Sequence, residues 1–251
     1  MITLKLKNSY LSVDLQGGYV HSWDVGGLPI LYHGADTKRR GIPILFPYFG
    51  KPSQSLPQHG FGRDTLWRCM NKNVTSMSMF ITDSDISDAA KKDYPYRFEA
   101  VIELTLIESS TLQYTLQVKN TGDTPLPISP GLHPYWSISQ DAKKKLVVDG
   151  VTGFDAHVVD WDKAPPDADF TFHNPTSFHT DKYSVAMTDT SPNGEKVKQI
   201  TIWSQSLDKA DHDFVCIEPI CGIRGGYISD PVQISPNEQW EMTVRFEAQI
   251  M

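Results

Sequence analysis

Two histidines and one glutamate stand in short stretches that are dense in glycine, proline and aromatic residues. His59 lies in LPQHGFGRDTLW (residues 56–67), His133 in PISPGLHPYW (127–136) and Glu218 in FVCIEPICG (214–222). Glycine and proline allow backbone conformations that other residues adopt poorly, so such a loop can hold a side chain in place for chemistry. A carboxylate accepts a proton and a histidine donates one near neutral pH, so these residue types favour acid–base chemistry.

Each of these residues also has a structural explanation. A histidine in a Gly-Pro-aromatic loop, such as His59 or His133, often serves only to pack the end of a sheet. Glu218 follows an apolar run, and strand alternation would turn it to solvent if that face is exposed. Because a charged residue is seldom buried without a partner, a functional and a structural role for Glu218 are evenly matched on this pattern alone.

A fourth stretch of the same kind, TKRRGIPILFPYFG (37–50), contributes aromatic side chains. Aromatic rings can present a flat apolar face to the C–H side of a sugar, which points to a neutral, ring-shaped substrate. Core packing explains the same rings about as well. The aromatic candidates are Phe46, Tyr48, Phe49, Trp67, Tyr135 and Trp136.

Several other classes of site are absent from the sequence patterns. The histidines have neither HxH nor HxxxH spacing, and Cys69, Cys216 and Cys221 form no CxxC pair, so we predict no metal. No GxSxG elbow and no P-loop occurs, and we predict no cofactor. The three cysteines form no disulfide framework, which is typical of a cytoplasmic protein.

The charge and hydropathy of the 251-residue chain limit its partners. A formal net charge of −7 argues against a nucleic-acid-binding or anionic-membrane surface. No run of 18 apolar residues exists, and the first twenty residues lack the apolar segment of a signal peptide. We therefore expect a cytoplasmic protein without a nucleic-acid or membrane partner.

Apolar residues recur with a period of two in most of the chain. FEAVIELTLI and TLQYTLQVKN predict a hairpin, TLKLK and YLSVDL predict another, and KQITIW, DFVCIEPI and WEMTVRFEAQI predict further strands. SDISDAAKKD (84–93) is a weak helical candidate and is expected to be a loop or a single turn. Many strands without a βαβ rhythm favour an all-β, antiparallel sandwich or barrel, and no linker divides residues 1–251, so we predict a single domain.

The four stretches together resemble the motifs of the aldose 1-epimerase (mutarotase) family. PILFPYFG, PQHGFGRD, GLHPYW and FVCIEP occur in the family's order over nearly the whole chain. The resemblance implies a large antiparallel β-sandwich of the galactose mutarotase type. It also implies that Glu218 is the base at the C1 hydroxyl, that His133 is the acid at the ring oxygen, and that His59 binds the substrate.

The same motifs bear on the substrate. RRGIPILFPYFG and LPQHGFGRDTLW resemble the hexose 6-phosphate branch of the family in Arg40 and Arg63, whereas LHPYW and CIEPICG resemble the bacterial aldose-type members. We expect a hexose 6-phosphate as substrate, with a free aldose as the alternative. Phe49 and Tyr135 are expected to contact the sugar, and Lys38 and Arg39 to be solvated.

A second class of function stays open. The same sandwich occurs in proteins that bind carbohydrate without converting it, although the presence of both an acid and a base favours an enzyme. The expected partner in either case is a small sugar or sugar phosphate, and the expected assembly is a monomer or a weak homodimer.

Overall fold

The chain folds almost entirely into antiparallel strands. The computed structural model describes residues 1–34 and 40–251, so Lys38 and Arg39 lie outside the described residues. The helices are α1 (Asp88–Asp93) and α2 (Gly226–Ser229), and two 3-10 turns span Gly62–Asp64 and Gln140–Lys145. The strands are β1 (Ile2–Leu6), β2 (Ser9–Asp14), β3 (Tyr19–Val25), β4 (Leu28–Pro29), β5 (Ile44–Leu45), β6 (Arg68–Lys72), β7 (Ser76–Thr82), β8 (Phe98–Glu108), β9 (Thr111–Asn120), β10 (Leu126–Ile128), β11 (Gly131–Leu132), β12 (Tyr135–Ser137), β13 (Val147–Asp149), β14 (Asp167–Thr171), β15 (Thr176–His179), β16 (Tyr183–Asp189), β17 (Gln199–Trp203), β18 (Phe214–Ile220), β19 (Val232–Ile234) and β20 (Gln239–Ile250).

Two large sheets form the sandwich. One has eight strands in the order β13-β15-β16-β20-β9-β8-β7-β6, and the other has six, β14-β17-β18-β11-β5 with β12 also paired to β18. They pack face to face: the ring of Trp136 on β12 lies 5.1 Å from Phe178 on β15 and 5.5 Å from Phe246 on β20. A four-stranded sheet, β1-β2-β3-β4, and a two-stranded sheet, β10-β19, complete the fold. The all-β sandwich expected from the sequence is confirmed.

The alternation in the sequence forms the core as expected. On β8, alternate side chains from Phe98 to Leu106 are buried, and β8 pairs with β9 as the predicted hairpin. The predicted face of β20 is buried from Met242 to Ala248, but Ile250 on the same face is 47% exposed. The strand ends there, beyond the cover of the opposite sheet. One hydrophobic cluster includes side chains from Leu4 to Ala248, which supports the proposal of a single domain.

The segment 84–93 is more ordered than its polar sequence suggests. Ser87 has extended backbone, and its hydroxyl accepts the N–H of Ala90, which is an N-cap of the ordinary kind. The six residues that follow form α1, and Ala90 on its inner face is buried. The helix is therefore longer than the loop or single turn expected from the sequence, because the cap at Ser87 stabilises its first turn. Among the described residues, no helix has the length and the apolar character needed to cross a membrane.

Candidate active site

The register of β18 with its neighbours places His133 opposite Glu218. Tyr135 on β12 pairs with Cys216, and Gly131 on β11 pairs with Ile220. Four positions separate the partners on both strands, so the two pairs share one register. Carried through the gap between β11 and β12, that register puts His133 across from Glu218. Cross-strand partners point to the same face of a sheet, so the two side chains meet.

The hydrogen-bond ladder is interrupted at this point. His133 donates its backbone N–H to Pro43 O (3.0 Å) and not to β18, and neither Pro134 nor Pro219 has an N–H to donate. The side chains nevertheless approach closely, with His133 Nε2 lying 3.4 Å from Glu218 Oε1. His133 is 6% exposed and Glu218 is 2% exposed. The sequence alternative in which Glu218 faces solvent is wrong.

The same registers extend both residues into rows across the six-stranded sheet. Thr201 on β17 pairs with Glu218, and Asp169 on β14 pairs with Thr201. Two residues along each strand, Trp203 pairs with Cys216 on one side and with Asp167 on the other. We call the first set the Glu218 row (His133, Glu218, Thr201, Asp169) and the second the aromatic row (Tyr135, Cys216, Trp203, Asp167). Both rows lie on the face turned away from the eight-stranded sheet.

A cavity of about 570 Å³ lies over this face, within the size range of small-molecule sites. Its far wall comes from the β2–β3 hairpin, through Asp14, Tyr19 and His21, and its rim comes from the loops that precede β5 and β6. All of the site residues expected from the sequence line this one cavity. They are His133, Glu218, His59, Arg40, Arg63, Phe49 and Tyr135.

His59 is held by an uncommon backbone conformation. Its φ is +66°, and Gly60 follows at +67°, where a Cβ would lie 2.2 Å from Phe46 O. Only glycine fits at position 60. His59 Nδ1 accepts the N–H of Gly50 (3.0 Å), so a neutral ring carries its proton on Nε2. Burial, together with Arg63 and Arg224, lowers the pKa of His59 to about 3, so it serves as a neutral hydrogen-bond donor.

Burial opposes charge on both members of the pair. It raises the pKa of Glu218 well above its usual value, and burial, followed by His59 and Arg63, lowers the pKa of His133. Burial therefore favours the neutral form of each residue over the ion pair in the free protein. Glu218 Oε2 and His133 Nδ1 find no hydrogen-bond partner within the described parts of the chain. The neutral pair (protonated Glu218 and neutral His133) and the ion pair (ionised Glu218 and protonated His133) hold the same number of protons. A substrate that binds one of the two forms more tightly can therefore shift the proton between the two side chains.

The aromatic residues divide between core and cavity. Phe49 and Tyr135 line the cavity, and Tyr135 stacks on His133 with ring centres 4.7 Å apart and an 8° angle between planes. Trp203, which sequence reasoning missed, lines it too, and the alternation of KQITIW could have placed it on the same face as Thr201. The other four candidates are buried and do not line the cavity, which favours the core-packing alternative for Phe46, Tyr48, Trp67 and Trp136.

The arginines have different partners. Arg63 Nη2 donates to Gln58 O (3.0 Å), and Arg40 Nε is buried with no partner within residues 1–34 and 40–251. Neither forms an ion pair with a carboxylate in those ranges. Arg224, which sequence reasoning also missed, binds Asp167 and Asp169 at the edge of the cavity. No local signal links these residues, because more than fifty positions separate them.

One group in the described chain has ligand types that suit a metal. The ligand atoms of His133, Cys216 and Glu218 all lie within 4.8 Å of one another. Zinc accepts each of these atoms, but a histidine that binds zinc normally donates its second ring N–H to an acceptor, and His133 Nδ1 has none among the described residues. The set thus fits a metal poorly, and the absence of a metal stays a prediction.

Comparisons with known proteins agree with this fold and indicate a family. The family model for aldose 1-epimerase matches residues 1–215. A curated protein of Salmonella typhimurium named "Putative glucose-6-phosphate 1-epimerase" is 28% identical over 145 residues, which are 54% of this chain and 47% of that protein. The match therefore spans about half the length of that relative.

Solved structures resemble the whole chain. A protein from Synechocystis sp. PCC 6803 superposes with a TM-score of 0.84 at 24% identity, covering 100% of this chain and 96% of that one. A galactose mutarotase related enzyme from Lactobacillus acidophilus superposes with a TM-score of 0.79 at 20% identity, covering 99% and 97%. At these identities the likeness establishes the fold alone.

Proposed function

Because the chain belongs to the aldose 1-epimerase family, we propose that it interconverts the α and β anomers of a hexose at C1. The observation that carries the proposal is the buried His133–Glu218 pair, 3.4 Å apart and facing a cavity of sugar-binding size. The hydroxyl oxygen and the ring oxygen are bonded to the same carbon, C1. Two neighbouring side chains can therefore reach both atoms at once.

The reaction needs one proton to be taken and one to be given. Glu218 takes the proton of the C1 hydroxyl, the C1–O5 bond breaks with its electron pair going to O5, and His133 gives O5 a proton. Rotation about C1–C2 and reversal of these steps close the ring on its other face. Ring opening converts the ion pair into the neutral pair, and ring closure restores it. Each positioned proton-transfer group typically contributes about 10²–10⁴ to a rate.

His59 and the aromatic rings hold the sugar in this scheme. Gly50 engages Nδ1 of His59, and the side-chain amide of Gln58 lies 3.1 Å from Nε2. In this scheme a sugar oxygen replaces Gln58 and accepts the Nε2–H of His59. Its ring lies 5.6 Å from that of His133 and nearly perpendicular to it, so the two imidazoles address one substrate. Phe49 and Tyr135 supply apolar surface on the cavity wall.

We further propose a hexose 6-phosphate as the substrate. Arg40 and Arg63 line the cavity, and neither is ion-paired with a carboxylate of residues 1–34 and 40–251, which supports a phosphate as their partner. The name of the Salmonella typhimurium relative favours the same substrate class. A free aldose is the alternative.

The test measures exchange between anomers by NMR magnetisation transfer for glucose, galactose and glucose 6-phosphate. The wild-type protein should exchange the phosphorylated sugar fastest. Arg40→Ala and Arg63→Ala should each reduce that preference, mainly through the phosphorylated sugar and more at low salt. Arg68→Ala is the matched control, because Arg68 pairs with Asp85 outside the cavity.

If free and phosphorylated sugars exchange at equal rates and either arginine is dispensable, the hexose 6-phosphate proposal fails. The alternative, an epimerase of free aldoses, would then replace it. Binding of sugar without exchange of any anomer would instead favour the non-catalytic carbohydrate-binding protein. The cytoplasmic location and the monomeric or weakly dimeric state stay predictions.

A further inference from the structure

Arg224 links the two carboxylates at the β14 ends of the Glu218 row and the aromatic row. Its Nε donates to Asp169 Oδ2 (2.7 Å), and its Nη2 donates to Asp169 Oδ1 (2.9 Å) and to Asp167 Oδ1 (2.7 Å). The guanidinium also lies 5.4 Å from the ring centre of Phe49. Arg224 follows β18 and both aspartates belong to β14, so the contact spans the edge of the cavity from one strand to another.

A continuous chain of contacts connects this group to the base. Asp169 Oδ1 accepts the hydroxyl of Thr201 (2.7 Å), and Thr201 is the cross-strand partner of Glu218. Asp167, Asp169 and Arg224 together carry a net charge of −1. Without the guanidinium the same place would carry −2, next to a carboxyl group that must itself become negative in the reaction.

We propose that Arg224 is a positioning residue: by offsetting the charges of Asp167 and Asp169, it sets the pH range in which the His133–Glu218 pair transfers protons. The inference depends on the proposed function for its catalytic meaning. The effect of Arg224 on the titration of His133 and Glu218 does not depend on that function and can be measured directly.

Charged and titratable groups on several strands and loops surround Glu218. Burial is the largest influence and raises the pKa of Glu218, Arg224 and Arg63 lower it, and Asp167 and Asp169 raise it. His133, His59, Tyr135 and Cys216 lie near the carboxyl on neighbouring strands and loops. The wall and rim of the same cavity add Asp14, Tyr19, His21, Arg40 and Asp64. Arg224 is therefore the main charge that favours an ionised base.

The expected direction is the same for both limbs of a pH–rate profile. A negative charge added near the pair makes every proton on it harder to remove, so the whole profile moves to higher pH. Two strand spacings put about 10 Å between Glu218 and Asp169. At that distance a unit charge should move the profile by about 0.5 to 1 pH unit after screening.

Three variants form a charge series. Asp169→Asn gives this group a net charge of 0, the wild type and the double variant Arg224→Gln/Asp169→Asn have −1, and Arg224→Gln has −2. The profile of kcat/KM should lie lowest in pH for Asp169→Asn and highest for Arg224→Gln. The double variant should return to the wild-type position, and Arg224→Lys, which keeps the charge but loses the bidentate contact, should stay near it.

The titration of the pair is measured as well, by NMR of labelled Glu218 carboxyl carbon and His133 ring nitrogen in the same variants. This readout follows the charge series even if the protein converts no sugar, so failure of the proposed function is distinguishable from failure of the inference. A merely structural Arg224 would lower melting temperature and kcat in both single variants without moving either limb. That result, or a shift of the two single variants in the same direction, overturns the proposal.

Discussion

Replacing Glu218 with glutamine tests the chemistry most directly, because the amide keeps the shape of the carboxyl and cannot take a proton from the C1 hydroxyl. We expect the rate of anomer exchange to fall by about 10²–10⁴. That loss corresponds to about 3–5 kcal/mol of barrier, the amount expected for one positioned proton-transfer group.

The same change should not weaken the fold. Glu218 is 2% exposed, and burial raises its pKa, so its charged form is costly in the folded state. A raised folded-state pKa makes a contribution to stability that is present at low pH and is lost as pH rises through that pKa. Glutamine does not titrate, so the melting temperature of Glu218→Gln should equal or exceed that of the wild type, with the larger difference at alkaline pH.

A buried carboxylate elsewhere provides the matched control. Asp189 is 5% exposed, lies outside the cavity and accepts the backbone N–H groups of Ser191, Lys196 and Val197. Asp189→Asn should cost about 1–3 kcal/mol of stability, since it weakens charge-assisted hydrogen bonds. The rate per folded molecule should stay at the wild-type value. The two variants thus separate loss of chemistry from loss of structure.

The assay is NMR magnetisation transfer between anomers, with thermal unfolding measured on the same samples. If Glu218→Gln exchanges anomers within a factor of about three of the wild type, too little for a lost general base, Glu218 is not the base. A variant that is slow only because it unfolds would be recognised by its melting curve.

Three further outcomes follow from burial and packing. Burial lowers the pKa of His133 and raises that of Glu218, so the acid limb of the pH–rate profile should lie below 6.5, the ordinary value of a histidine, and the alkaline limb above 4.5, the ordinary value of a glutamate; an acid limb at or above 6.5, or an alkaline limb at or below 4.5, would contradict this. Burial lowers the pKa of Lys143 from 10.5 to about 8, so its contribution to stability falls as pH drops through that interval. Lys143→Met should therefore raise the melting temperature more at pH 7.5 than at pH 10, and an equal gain at both would refute the reasoning. Gly131→Ala would place a Cβ 2.4 Å from Ile220 Cδ1 and 3.1 Å from the backbone oxygen of Pro219, and should cost about 1–3 kcal/mol in denaturant unfolding; a cost below about 0.5 kcal/mol, the range of a neutral surface change, would show that the Ile220 side chain and the β18 backbone move aside.

The sequence was informative wherever a local pattern has one structural meaning. The alternation from Phe98 to Leu106 can be satisfied only by a strand with one buried face, and the structure has that strand. Ile250 continues an alternation of the same kind but is exposed, because burial at a strand end depends on how far the opposite sheet reaches. The alternation of apolar residues in one strand does not indicate how far the opposite sheet extends.

Several residues that line the candidate site could be predicted from the sequence, but the geometry of the site could not. Glycine, proline and aromatic residues mark the stretches around His133 and Glu218, whereas their approach depends on β18 pairing with β11 and β12. Arg224 was missed for the same reason: its partners are on β14, and nothing near Arg224 in the sequence indicates them. Phe46 and Phe49 lie in one motif, yet only Phe49 reaches the cavity.

The gap between β11 and β12 has a consequence for how proteins of this design can diverge. The face on which His133 stands depends on the parity of the residue count from Gly131 to Tyr135, since side chains alternate along a strand. Inserting or deleting one residue there would turn the imidazole toward the core side, where Trp136 lies.

The rim is free of this constraint. Arg40, His59 and Arg63 stand on loops whose length does not set the register of β18, and loops accept insertions at small thermodynamic cost. If the proposed function holds, descendants of such a protein can change sugar specificity by changing rim loops, while His133 and Glu218, the proposed acid and base, keep their places.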